Sequence, residues 1–67
     1  MISDLEIWRA AQATIDQYGD DAALHAAQRA DELMAAGDME GRRVWQRIER
    51  AIDELRRTAP GHGEGVH

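Results

Sequence analysis

Apolar positions recur along the chain at helical spacing, and two Gly-Asp dipeptides interrupt them. The clearest run is Val44, Trp45, Ile48, Ala51, Ile52 and Leu55, whose steps of one and three residues draw a single stripe along a helix. Upstream, Ile7, Trp8, Ala11, Ile15 and Tyr18 form a second stripe, with Leu5 at its margin. Between these two lies a third, Ala23, Ala26, Ala27, Ala30, Leu33 and Met34, which is mostly alanine. The dipeptides Gly19-Asp20 and Gly37-Asp38 separate the three. In each, glycine suits the left-handed backbone that closes one helix, and aspartate can accept from the free amides that open the next. Ser3-x-x-Glu6 reads as a capping box, with Ile2 and Ile7 at the positions of a hydrophobic staple.

These signals predict an all-α fold, a small antiparallel three-helix domain with helices near 4–18, 21–36 and 39–57. Residues 1–57 form that domain, and 58–67, with Pro60 and three glycines, are expected to be a disordered Gly/His tail. The alanine stripe predicts close backbone approach by the second helix. Trp8 and Trp45 are then expected to fill the core above it. Leu24 falls off the second stripe and is the local hint of a surface buried elsewhere.

Composition narrows the function more than it defines it. The 67 residues include twelve alanines, no cysteine, no lysine and no phenylalanine, so disulfide frameworks and thiolate metal sites are excluded. No apolar stretch is long enough for a transmembrane helix, and Asp4 and Glu6 stand where a secretory leader would be basic or apolar. A cytoplasmic location is the resulting expectation. The net charge of −5 is uneven. Residues 1–38 carry eight acids against two arginines, a balance of −6, whereas residues 39–57 carry six arginines against four acids, a balance of +2.

Catalytic chemistry is poorly supplied. The single serine, Ser3, is committed to a cap, and Thr14, Thr58 and Tyr18 have no histidine near them in sequence. Neighbouring carboxylates such as Asp20-Asp21, Asp31-Glu32 and Asp53-Glu54 diverge by about 100° on a helix and do not share a proton. Asp20 and Asp21 have a sufficient role at a helix N-terminus. His25 reads as a polar-side residue, and His62, Glu64 and His67 sit in the tail without a rigid frame. No enzyme activity, cofactor or metal is expected.

The arginines of the third helix form the alternative. Arg43, Arg47, Arg50 and Arg57 share a helix face that could track phosphates. A helix-turn-helix register aligned on Gly37 fails, because it sets Asp38 and Arg43 at positions that should be apolar. A salt-bridged surface, with Arg50–Glu54 and Asp53–Arg57 at i,i+4, is the simpler expectation.

Trp8-x-x-Ala11, Tyr18-Gly19-x-x-Ala22, Ala27-x-Arg29-Ala30-Asp31-x-Leu33, Gly37-Asp38-x-x-Gly41 and Trp45-x-x-Ile48-x-x-Ala51-Ile52 together resemble a family of short bacterial, chiefly α-proteobacterial, helical proteins without assigned function. The resemblance spans about residues 5–55 and implies no activity or ligand. It does suggest that Arg29 and Asp31 make a buried or interfacial polar contact and that Gly41 marks a close helix crossing. Ala27-x-x-Ala30-x-x-Leu33 before Gly37-Asp38 is also similar to tetratricopeptide-type hairpins, an analogy for helix packing and peptide binding. The expected function is a protein–protein interaction module with Trp8, Leu24 and Trp45 as candidate anchors. Its partner is another protein, a second copy in a homodimer being one candidate. The alternative is a nucleic-acid-associated regulator contacting phosphate through Arg43, Arg47, Arg50 and Arg57.

Overall fold

The computed structural model describes residues 2–58. It contains α1 (Asp4–Tyr18), a 3-10 turn (Gly19–Asp21), α2 (Ala22–Ala35) and α3 (Met39–Thr58), with no strand among the described residues. The expected break between the first two helices is absent. No loop residue separates α1, the 3-10 turn and α2, so counted by continuity the chain is two helical segments, the first turning back at Gly19, whose backbone is not helical. Gly19, at φ 58° and ψ −124°, takes a conformation open to glycine and strained for other residues. The cap expected of Asp20 does not form: Asp21 precedes α2 and makes no side-chain cap bond, although both acids lie in the first turn of this stretch. Asp20 instead receives Arg56 from the last turn of α3, Nη1 donating to its carbonyl at 3.3 Å and Nη2 lying 3.4 Å from its carboxylate. Thr58 belongs to α3, one residue beyond the expected end. The rest of the tail, with His62, Glu64 and His67, lies outside the described residues.

The other ends follow the pattern. Ser3 Oγ accepts from the Glu6 amide at 3.2 Å, and half-buried Ile2 packs against the core cluster to which Ile7 belongs. Gly37, at φ 83°, closes α2 by a Schellman motif in which its amide donates to Met34 O and that of Asp38 donates to Leu33 O. Asp38 then opens α3, its carboxylate accepting from the Gly41 amide at 2.9 Å. One dipeptide therefore ends one helix and starts the next. A Cβ on Gly41 would lie 2.7 Å from Asp38 Oδ2, so Gly41 makes room for this cap rather than for a helix crossing. Asp38→Ala should cost about 0.5–2 kcal/mol. Gly41→Ala should add up to about 1 kcal/mol of helix propensity only where that carboxylate is gone. A urea-denaturation cycle over the two substitutions checks this, and additive effects would contradict it.

The core is small and dominated by short side chains. Ile7, Ala11, Ala22, Ala26, Ile48, Ala51 and Ile52 are buried together, and among the described residues Ile52 is the large side chain that is fully enclosed. Thr14 is buried too, with its hydroxyl donating to Ala10 O at 2.7 Å. On α2 the buried line is Ala22, Ala26 and Ala30. The expected stripe is thus rotated, leaving Ala23 and Ala27 half-buried and Met34 exposed. The physical reason is the direction from which α3 approaches. Alanines at i, i+4 and i+8 admit its backbone closely, and the bulk is supplied by Ile48 and Ile52. Leu5 and Tyr18 stay exposed at the edge of α1. The first turn of α1 lies beside residues 47–54 of α3, and Asp20 beside Arg56, so these two helices run in the same direction. Between them, α2 runs the opposite way.

Candidate functional site

Two flanks of α3 carry the exposed chemistry. On one, α1 and α3 bound an open groove of about 410 Å³. Ile7 and Ala51 form its floor, Trp8 its wall, and Asp4, Arg47, Arg50 and Glu54 its polar edge. Trp8 was expected in the core. It is 40% exposed, because it lies about 100° round α1 from Ile7 and so falls at the rim of the contact with α3. Arg47 is ion-paired with Asp4 across the groove, and Glu54 is 3.5 Å from Arg57. Arg50 has no ion-pair partner among the described residues. The charges that line the groove are balanced in number, yet pairing leaves Arg50 without an ion-pair partner among the described residues in the groove that Trp8 also lines.

The opposite flank holds an aromatic cluster that sequence reasoning missed. Tyr18 stacks on His25 with centroids 4.0 Å apart and planes at 16°, and His25 meets Trp45 edge-on at 5.8 Å. Arg29 lies 5.9 Å from the centre of the Trp45 ring and bonds Glu32 at 2.9 Å. His25 is therefore half-buried between rings, not simply solvated as its place on the polar side of α2 suggested. The available signal was the His25–Arg29 spacing of four, which puts both on one face, and Tyr18 seven residues back across the bend. The polar contact expected between Arg29 and Asp31 does not form. Arg29 engages Glu32 and Trp45, and Asp31 is exposed, because residues two apart on a helix point about 200° apart.

Trp8, Leu24 and Trp45 do not converge. Trp8 and Trp45 occupy different flanks of α3, and Leu24, 57% exposed, points away from the Ala22–Ala26–Ala30 face. Of the four candidate phosphate contacts, Arg47 and Arg57 are in ion pairs, while Arg43 and Arg50 have none among the described residues. The expected Arg50–Glu54 and Asp53–Arg57 pairs give way to Arg57–Glu54 at i,i+3 and to Arg47–Asp4 between helices. Among the described residues no three His, Asp or Glu side chains gather as a metal set, and no helix is long and apolar enough to cross a membrane. Comparisons with protein-family models, curated proteins and solved structures return no match.

Proposed function

We propose that this chain is a non-catalytic protein–protein interaction module, a small cytoplasmic helical unit that presents the α1–α3 groove to another protein. The observation carrying this reading is Trp8. A domain whose buried large side chains among the described residues are Ile7, Ile48 and Ile52 leaves an indole 40% exposed on the wall of the groove. Partly exposed tryptophan beside arginine is the composition of interface anchors. Leu5, at 57% exposure and three residues before Trp8, extends the apolar surface along α1. Trp45 serves as packing for His25 and Arg29 in this reading, and Leu24 is a secondary contact at most.

Site-specific photo-crosslinking tests it. A benzophenone side chain in place of Trp8, in cells that naturally produce the chain, should give a discrete protein adduct. The same probe at exposed Gln17 should give none. Adducts with nucleic acid alone, or equal labelling from both positions, would overturn the reading in favour of the arginine-based alternative. That alternative also requires duplex retention that weakens steeply with salt above about 50 mM.

A further inference from the structure

The α1–α3 groove also constrains its partner's chemistry. We infer that it binds an acidic, amphipathic peptide helix of another protein, an apolar side chain packing on Trp8 while a neighbouring carboxylate meets Arg50. This rests on the interaction reading above and specifies its partner.

Three observations point the same way. Ile7 and Ala51 belong to the buried core and are nearly covered already, so the apolar surface the groove offers is chiefly that of Trp8, held on a firm base. Asp4 neutralises Arg47, and Glu54 is engaged with Arg57, so neither acid is left over for a basic ligand. Arg50 is exposed, lines the same groove and lacks an ion-pair partner among the described residues. Arg43, two turns earlier on α3, is likewise exposed and unpaired among them, extending the positive edge. A groove between two helices running in one direction suits a third helix, read through residues at i, i+3 and i+4. That spacing lets one apolar side chain and one carboxylate enter together. A guanidinium is the side chain best shaped to hold the carboxylate.

A second copy fits less well. The chain's own acidic-apolar helix surface, around Leu24 and Asp31 on α2, is exposed on the far side of α2 from α3. The groove opens where α1, not α2, borders α3. Pairing the groove of one copy with that surface of another would be heterologous, giving a ring or an open chain and not a two-fold dimer.

The test is selection from a display library of random peptides roughly four helical turns long, with the full chain as bait. The expected winners carry Asp or Glu three or four residues from a large apolar side chain. Binding of such a winner should fall about tenfold or more with Arg50→Glu, the loss expected for a charge-assisted contact. Trp8→Ala should weaken it as well, and Arg50, being exposed, gives a variant whose folding is not at stake. A basic or uncharged consensus would overturn the inference, as would acidic winners indifferent to both substitutions. The latter result removes this site while leaving the chain an interaction module, which the Trp8 cross-link judges separately. No enrichment, displacement of winners by DNA duplex, or a mass that grows with protein concentration and masks the groove would each overturn it too.

Discussion

Replacing Ile52 with alanine should take most or all of the stability from the domain. Ile52 is completely enclosed, and its neighbours in the core include Ala11, Ala22, Ala26 and Ala51. Alanine has no rotamers with which to move into a vacated volume, and the helices that carry these residues cannot collapse singly. The cavity therefore persists, which places the loss toward the upper part of the range of about 2–5 kcal/mol for such truncations. A domain of this size holds only about 3–9 kcal/mol in total. Urea denaturation followed by helical circular dichroism should show a native baseline shortened or lost. Ile15→Ala, at a half-buried position, should cost clearly less. A loss below about 1 kcal/mol at position 52 would mean that the core does not centre on Ile52.

That prediction draws on a part of the fold that was legible beforehand. The run from Val44 to Leu55 has apolar residues at each inward step, most of them large, so the period alone picks out the buried face, and Ile48, Ala51 and Ile52 are buried on it. Gly37-Asp38 was legible for a local reason. Schellman closure and the aspartate cap depend on backbone geometry within a few residues. At Gly19-Asp20 the glycine half of the same logic holds, since Gly19 closes α1 at positive φ, while Asp20 makes no cap bond and lies 3.4 Å from Arg56, 36 residues away.

The candidate site was less legible, again for physical reasons. Trp8 sits beside Ile7 in sequence and shares its apolar character, so hydrophobicity assigns both to the core. Which one turns inward depends on where α3 approaches α1, and that is a matter of docking angle. Arg50 could be named as a surface arginine. Its lack of a partner follows from Arg57 drawing Glu54 away at a spacing of three, and from Asp4 reaching Arg47 from another helix. The cluster of Tyr18, His25, Trp45 and Arg29 joins three helices, and no one helix's periodicity contains it.

The alanine helix provides the second large effect, because its sequence admits two different buried faces. A pattern centred on Ala23 and Ala27 is as apolar as one on Ala22, Ala26 and Ala30, and side-chain size does not separate them. Exposure does, with Ala26 at 0% and Ala27 only half-buried. Alanine and leucine differ little in helix propensity, so exchanging them probes space alone. Ala26→Leu would force three added carbons against Ile48 and Ile52, where the backbones of α2 and α3 are close. Overpacking of this kind costs about 1–3 kcal/mol and more where nothing can yield. Ala27→Leu points toward solvent by about 100° and should change stability by less than about 1 kcal/mol. Thermal and urea midpoints measured on both variants decide the matter. Equal losses would mean that the helix is buried all round, and a larger loss at Ala27 would return the contact to the face that the apolar stripe first suggested.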